Sequence, residues 1–178
     1  LGYPGGPVVD RRAARGNPAR FEFPRPLWRR GNLDFSFSGI KTAVAYKAAE
    51  LDLRDDALLD DLLASFQAAA CDVLAGKAIR ACEMTGTRRL IVTGGVASNA
   101  ELRRRLLSAR REGLKVSVPP PSLCTDNAAM IGAAGYARVW ARIARGDGFA
   151  DGSLNARASW SLAPPMPQPP GRKKVRDC

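Results

Sequence analysis

Histidine is absent from this 178-residue sequence, and cysteine occurs only four times. No two of the cysteines form a Cys-x-x-Cys pair; they are Cys71, Cys82, Cys124 and Cys178. Structural zinc sites are held mainly by clustered thiolates and imidazoles, so the sequence predicts no structural zinc site within the chain. Cys71 and Cys82 fall in a helical stretch and are expected to be small buried residues, reduced as in a cytosolic protein.

Long apolar runs and a leader are also lacking. No stretch of about 18 apolar residues is present to cross a bilayer, and no basic start followed by an apolar run indicates a signal peptide. The chain opens at Leu1 in a turn rich in glycine and proline, which suggests a piece of a longer protein. Together these absences predict a cytoplasmic protein without a membrane partner.

Acidic residues are outnumbered, because 17 Asp and Glu stand against 28 Lys and Arg, which gives a net charge of +11. An excess of this size favours contact with a polyanion such as a nucleic acid, through neutralisation of phosphates. Arginines on solvated surfaces would produce the same total, so composition alone leaves both explanations open.

The spacing of apolar residues predicts strands that alternate with helices, which is typical of a layered α/β fold. The clearest helix covers 55–84, where Asp55 favours its start and Gly86 its end. The segment 147–178, rich in proline and basic at its end, is predicted to be weakly ordered. The other expected elements are helices at 7–15, 40–51, 100–111 and 126–145, a buried strand at 89–93, and strands at 34–38 and 114–118.

The first motif with chemical potential follows the strand at 89–93. Gly94 and Gly95 would let the backbone approach a ligand, and the helix after them would present free N–H groups to an anion. Asn99 would cap that helix or bond a sugar hydroxyl. A plain strand-to-helix turn with Asn as the N-cap explains the same residues, and the motif by itself leaves the two readings open.

The second motif, at residues 124–127, opens the last helix after the strand at 114–118. Asp126 would either cap this helix or present a carboxylate to a metal ion. Since ligands in open α/β sheets gather beyond the carboxyl ends of strands, the two motifs are expected to share one edge of the sheet and to form a site there. By contrast, Ser-Gly-x-Lys-Thr at 38–42 lacks the spacing of a phosphate-binding P-loop.

Four segments, taken in order, closely resemble the universal tRNA threonylcarbamoyladenosine transferase family: GYPGGP, FSFSGIKTAV, VTGGVASNAELR and CTDNAAMIGAAGY. The likeness runs from Leu1 to about Trp140. It implies an actin/hexokinase/Hsp70-like (ASKHA) fold, in which two α/β lobes surround a nucleotide cleft. Residues 1–146 would be the second, carboxyl-terminal lobe, with the first lobe missing, and the part of the tail after Leu162 would extend beyond the family's usual end.

The resemblance also implies an activity, which is transfer of a threonylcarbamoyl group from threonylcarbamoyl-AMP to N6 of the adenosine adjacent to the tRNA anticodon. It implies that Gly6 and Asn99 contact the adenylate and that the backbone at Gly94 and Gly95 approaches the nucleotide. Asp126 would be a ligand of a divalent metal, iron or zinc with Fe²⁺ the usual assignment. The other metal ligands would be two histidines of a His-x-x-x-His motif in the first lobe, and accessory subunits of the transfer complex would be further partners.

The missing histidines predict that this part of the enzyme is inactive alone, and no residue of the chain stands out as a general base. Two alternatives remain at this point. One is a non-catalytic basic module that binds RNA or acts as a scaffold, and the other is an ATP-hydrolysing relative of the same fold. An adjoining first lobe carrying the histidine motif would distinguish the transferase from both.

Overall fold

The computed structural model describes residues 1–28, 31–109 and 113–147. By its internal contacts the chain divides into two compact units, Leu1–Gly132 and Ala133–Cys178. All residues that line the cavity described below belong to the first unit. The tail predicted at 147–178 lies outside the described residues, apart from Asp147.

The described residues form helices and two short strands in alternation from the middle of the chain onward, which agrees with the predicted α/β class. The elements are α1 (Gly5–Ala13), α2 (Ser38–Glu50), α3 (Asp56–Thr85), β1 (Arg89–Ile91), α4 (Ala100–Ser108), β2 (Lys115–Ser117) and α5 (Ala128–Arg145). Two short 3₁₀ helices, Gly95–Ser98 and Pro121–Leu123, follow β1 and β2 respectively.

Helix α3 is the central element, and its ends are those that the sequence predicted. Its 30 residues span about 45 Å at 1.5 Å per residue. The Asp55 carboxylate accepts hydrogen bonds from the backbone N–H groups of Ala57 and Leu58, at 2.8 and 3.3 Å, and so caps the first turn. Gly86 ends the helix in the left-handed conformation, with φ 64°, which a glycine adopts without steric cost.

Three apolar clusters form along α3 because α1, α2, α4 and β1 all contact it. One joins α3 to α4 and the sheet, one joins it to α1, and one joins it to α2 and the segment before it. The buried members of these clusters are, in that order, Cys71, Ala75, Leu102, Leu106 and Val116; Ala13, Leu63 and Ala64; and Phe23, Leu62 and Ala69. The expected burial of Cys71 and Cys82 is confirmed.

The two strands pair in parallel, with Leu90 opposite Val116. Val116 is buried against α3 and α4, whereas Ile91 is 72 % exposed. The prediction of a fully buried strand at 89–93 was therefore wrong, because the sheet described here has two strands and only one covered face. The parallel pairing does confirm that the segments after β1 and β2 leave from the same edge of the sheet.

The strand predicted at 34–38 is absent from the described structure. Residues 34–37 have no regular hydrogen-bonding pattern, and α2 begins at Ser38. The alternation of apolar residues there has another cause, since the rings of Phe35 and Phe37 stack on each other with centroids 6.0 Å apart. The buried ammonium of Lys77 donates to the carbonyl of Asp34 and lies 5.6 Å from the centroid of the Phe35 ring, which fixes the segment without a partner strand.

The last helix begins later than predicted and is more exposed. It starts at Ala128, not at Asp126. None of its residues is buried in the described parts of the chain. The predicted end of α4 at 111 lies beyond the described residues; the helix as described ends at Ser108.

The sequence predicted no membrane-spanning segment, yet helix α3 is long and apolar enough to cross a membrane by length and composition alone. Its most apolar window is 61 % buried inside the protein. A core helix of a soluble protein passes the same test, and the window lies under the three clusters described above. Its apolar character is therefore accounted for by its position in the core.

Candidate functional site

A cavity of about 660 Å³ lies between α1, α3 and the segment that joins β1 to α4. Its volume falls within the roughly 300–1,000 Å³ that is usual for small-molecule sites. Most of its wall is apolar, with a few polar side chains on one side. The lining residues include Gly6, Arg11, Gln67, Gly95, Ser98 and Asn99.

Three of the residues predicted to bind substrate share this cavity. Gly6 belongs to α1, Gly95 opens the 3₁₀ helix after β1, and Asn99 immediately precedes α4, yet all three line the same cavity. Gly94 precedes Gly95 in the chain and is not itself part of the lining, and Asp126 does not line the cavity either. The structure thus joins the first predicted motif to the amino-terminal turn and leaves the predicted metal ligand apart.

The two glycines of the first motif have different reasons to be glycine. Gly94 has φ 95° and ψ 167°, a conformation that a side chain would strain. Gly95 has no such backbone requirement, and a Cβ built on it would meet nothing within 4 Å. The same holds for Gly6. Neither backbone conformation nor internal packing of the described residues explains glycine at these two positions of the cavity wall.

Asn99 lies at the centre of a hydrogen-bond network that ties three helices together. Its Oδ1 accepts from the N–H of Leu102 at 2.9 Å and so caps α4. Its Nδ2 donates to Asp10 Oδ1 on α1 at 3.0 Å and to Gln67 Oε1 on α3 at 2.8 Å. Both hydrogens of the amide are engaged, so a ligand that bonds to the side chain of Asn99 would replace one of its protein partners.

The amino terminus of α4 is occupied by protein groups. The carboxylate of Asp10 accepts from the N–H of Ala100 at 3.1 and 3.2 Å, and Asn99 satisfies the N–H of Leu102. A carboxylate is the favoured partner at the positive end of a helix dipole. The sequence-based expectation of free N–H groups for an anion at this helix was therefore wrong, because Asp10, almost ninety positions earlier in the chain, takes that place.

Two polar side chains of the cavity lining have no partner among the residues that the structure describes. Ser98 Oγ is withdrawn from solvent and makes no hydrogen bond within the described residues. Arg11 is exposed and, among the residues that the structure describes, makes no hydrogen bond or ion pair. Its neighbour Arg12 behaves differently, because it pairs with Asp56 and Asp60 on α3 at 2.5 and 2.6 Å.

The thiol of Cys71 also lines the cavity. Burial raises its pKa to about 11, since a thiolate loses its hydration there. The thiol points to Asn99 Oδ1 at 3.5 Å. Cys71 is therefore a protonated, unreactive part of the wall at neutral pH and not a nucleophile.

Arg103 braces the segments that follow the two strands. Its guanidinium donates to the carbonyl of Ala97 at 3.0 Å and to the carbonyl of Pro119 at 2.8 Å. The guanidinium of Arg103 is committed to these internal carbonyls and holds the two segments together. Arg104 is exposed and pairs with Glu101 one turn earlier.

Asp126 is exposed, and its side chain makes no hydrogen bond or ion pair within the described residues. It does not cap α5, because Asn127 Oδ1 accepts from the N–H of Met130 at 3.0 Å and serves as the cap instead. Within the described ranges no group of three or more His, Cys, Asp or Glu side chains is placed to hold a metal ion. Asp126 is thus available as one oxygen ligand, and the chain as described supplies no complete metal centre.

Sequence reasoning missed Asp10, Arg11, Gln67 and Ser98 as parts of the site. One of them carried a detectable signal, since Gln67 is a polar residue within the apolar face of α3, only 8 % exposed, and buried polar groups require partners. Ser98 lies inside the first motif, between Gly95 and Asn99. Asp10 and Arg11 carried no local signal, because their roles depend on the docking of α1 against residues far away in the chain.

Comparisons with known proteins single out one family. A sequence model described as "tRNA N6-adenosine threonylcarbamoyltransferase" matches residues 1–133. Proteins with that same name are similar to the chain: one from Syntrophotalea carbinolica is 49 % identical over 164 residues, covering 91 % of this chain and 46 % of the relative. One from Aromatoleum aromaticum is 53 % identical over 140 residues, 78 % of the chain and 41 % of the relative, and one from Staphylococcus carnosus is 51 % identical over 138 residues, 76 % and 40 %. The chain spans less than half the length of these relatives.

Proposed function

The chain belongs to the tRNA N6-adenosine threonylcarbamoyltransferase family, and from that premise we propose that it is the carboxyl-terminal lobe of such an enzyme. In this proposal the cavity takes the adenylate part of threonylcarbamoyl-AMP, and a separate amino-terminal lobe completes an ASKHA-type cleft. The proposed reaction is transfer of the threonylcarbamoyl group to N6 of the adenosine beside the tRNA anticodon.

The observation that carries the proposal is the meeting of Gly6, Gly95 and Asn99 in the lining of one cavity. Two of them are glycines that neither backbone conformation nor packing of the described residues requires, so an approaching ligand accounts for them. The mostly apolar wall suits the flat face of an adenine base, with a few polar groups to orient it. These features favour a nucleotide site over a basic scaffold without a ligand.

The chain's own residues would contribute position, because the donor is already an activated mixed anhydride. A new bond forms between N6 of the tRNA adenosine and the carbamoyl carbon, the bond from that carbon to the phosphate oxygen breaks, and N6 loses a proton as AMP leaves. Holding the adenylate in the cavity fixes the leaving group against the incoming base, and such positioning is a large part of the catalysis available to a transfer of this kind. The fixed network around Asn99 would keep the wall rigid while the bond changes.

In this proposal a divalent metal, iron or zinc, is held by ligands from both lobes. Asp126 is free to supply one oxygen, and a single carboxylate leaves most of the coordination to water. The remaining ligands would come from the two histidines of the amino-terminal lobe. When bound, such a metal supplies Lewis acidity to phosphate or carbamoyl oxygens.

The remaining partners follow from the same proposal. The net charge of +11 supports contact with tRNA, through phosphate neutralisation, and accessory subunits of the transfer complex would act on the assembled enzyme. The enzyme would work in the cytoplasm, where its tRNA substrate is found, with no membrane involved.

The test is a chimera in which this chain replaces the matching segment of the Syntrophotalea carbinolica relative. Supplied with tRNA, ATP, threonine, bicarbonate and the adenylate-forming enzyme, the chimera should produce threonylcarbamoyladenosine, detected by mass spectrometry of digested tRNA. The isolated chain should produce none under the same conditions. A folded chimera without product, next to an active parent relative, would refute the transferase assignment for this chain.

Asp126→Ala in the same chimera tests the metal ligand, with Asp34→Ala as a matched exposed carboxylate. Metal content measured by elemental analysis should fall in the Asp126 variant only, while thermal unfolding stays the same in both. Unchanged metal content in the Asp126 variant would remove this residue from the ligand set.

A further inference from the structure

We propose that Arg11 is the phosphate anchor of the cavity, and that it binds the phosphoryl group of the adenylate. This inference rests on the proposed function, because it takes the adenylate as the occupant. It concerns the substrate's charge, whereas the residues that the family resemblance implies, Gly6 and Asn99, carry none.

The composition of the wall points to Arg11. An adenylate brings a phosphodiester-like negative charge into a cavity whose lining holds one acidic residue, Asp10, and one basic residue, Arg11. The Asp10 carboxylate already accepts from the N–H of Ala100 and from Asn99, so much of its charge is met by protein donors. Arg11 is the cation among these lining residues, and a guanidinium binds phosphate oxygens through two parallel N–H donors.

The neighbouring arginines show that pairing is the rule in this part of the fold. Arg12 binds Asp56 and Asp60, and Arg15 binds Asp60 at 2.8 Å. These contacts join α1 and the residues after it to the amino end of α3. Arg11, on the same helix, has no such partner in the described parts of the chain and stands at the cavity instead. An internal structural role thus explains its two neighbours and leaves Arg11 free for a ligand.

Ser98 is an independent indication that the cavity binds a polar ligand. Two buried side-chain N or O atoms lack a hydrogen-bond partner in the described residues, Arg12 Nε and Ser98 Oγ. The first lies 2.6 Å from Asp60 in an ion pair, whereas Ser98 belongs to the cavity wall. Buried hydroxyls are rarely left without a partner, and a bound nucleotide offers several.

The experiment compares two probes, AMP and adenosine, which differ only in the phosphate. Each is titrated by NMR chemical-shift changes into the 178-residue chain and into Arg11→Ala, Arg11→Lys and Arg20→Ala. Arg20 is the matched control, because it is also exposed and lies outside the cavity lining. Circular dichroism confirms that every variant is folded.

Arg11→Ala should weaken AMP binding about tenfold, which is typical of losing one charge-assisted contact to phosphate, and should leave adenosine binding within twofold of the parent. The AMP affinity of Arg11→Lys should lie between those of the parent and Arg11→Ala, because lysine keeps the charge and loses the paired donors. Added salt should weaken AMP binding in the parent more than in Arg11→Ala. Arg20→Ala should match the parent with both probes.

Equal losses for AMP and adenosine in Arg11→Ala would overturn the proposal, since the arginine would then contact the nucleoside. Unchanged AMP binding in that variant, or equal affinity of the parent chain for both probes, would overturn it as well, while the nucleotide cavity of the proposed function would stand. If the parent chain binds neither probe, the assignment of the cavity to the adenylate fails, and the anchor fails with it.

Discussion

Replacing Arg103 by alanine should destabilise the protein far more than the same change one residue later. Arg103 is partly buried, and its guanidinium donates to the carbonyls of Ala97 and Pro119 at 3.0 and 2.8 Å. A hydrogen bond to a charged group contributes about 1.5–3 kcal/mol. Because the site is only partly buried, we expect a combined loss of about 2–4 kcal/mol in the free energy of unfolding.

Arg104 is the matched control, since it occupies the next position of the same helix and carries the same side chain. Among the residues that the structure describes, its guanidinium bonds to Glu101 alone, at 2.7 Å across one turn on the surface. Exposed pairs of this kind contribute about 0–1 kcal/mol. Arg104→Ala should therefore shift the urea midpoint slightly, whereas Arg103→Ala shifts it strongly.

The assay is urea unfolding of both variants, followed by circular dichroism and intrinsic fluorescence with the slope compared to the parent. Arg103→Lys adds a third point: one ammonium reaches at most part of the pair of carbonyls, so it should recover only some of the loss. Equal losses in Arg103→Ala and Arg104→Ala would refute the bracing role. Charge reversal at Arg103 is for the same reason a poor probe of RNA binding, because any loss of affinity would follow from a disturbed fold.

Three further results are expected. Gly95→Val should leave the urea midpoint close to the parent, since a Cβ there meets nothing within 4 Å, and should weaken AMP binding measured by NMR titration; undiminished AMP binding would place the nucleotide elsewhere. The hydrogen bond from Arg15 lowers the pKa of Asp60, so its carboxylate should stabilise the fold above the unfolded pKa of about 3.9, and this stability should be lost as the pH falls through the lower folded value. The urea midpoint should therefore differ less between pH 6 and pH 3 in Asp60→Asn than in the parent. Burial raises the pKa of Cys71 to about 11, so Cys71 should resist iodoacetamide at pH 8 and react only in urea, as measured by peptide mass spectrometry. Rapid labelling of Cys71 in the native chain would contradict its burial.

Local signals predicted what is decided locally. The ends of α3 followed from Asp55 and Gly86, because a cap and a left-handed glycine act within one turn of the helix. The strand expected at 34–38 failed for the opposite reason. Alternating apolar residues fit a strand only where another strand is available to pair, and the sequence does not state where its partners are. The rings of Phe35 and Phe37 stack on each other instead.

The site was predicted in part for the same physical reason. Gly95 and Asn99 were found because a strand, two glycines and a helix form a contiguous pattern. Asp10 was not, since its contacts with Asn99 and Ala100 bridge 89 and 90 positions, and no local rule connects residues so far apart. Asp126 was recognised through its motif, yet its separation from the cavity depends on the path of the chain after β2.

Helix α1 contributes both walls and charge to the cavity, and this couples the ligand to the helix. Five of its residues line the space: Gly6, Pro7, Val9, Asp10 and Arg11. If a ligand binds only when these residues are in place, its binding stabilises the packing of α1 against the rest of the protein. Packing of α1 strengthens ligand binding by the same free energy, because thermodynamic linkage is reciprocal. Amides of α1 should consequently exchange with deuterated water more slowly when the cavity is filled, and segments remote from α1 should exchange as before. Hydrogen exchange of α1 would thus report whether the cavity is occupied, since a bound ligand makes local opening of this helix less favourable.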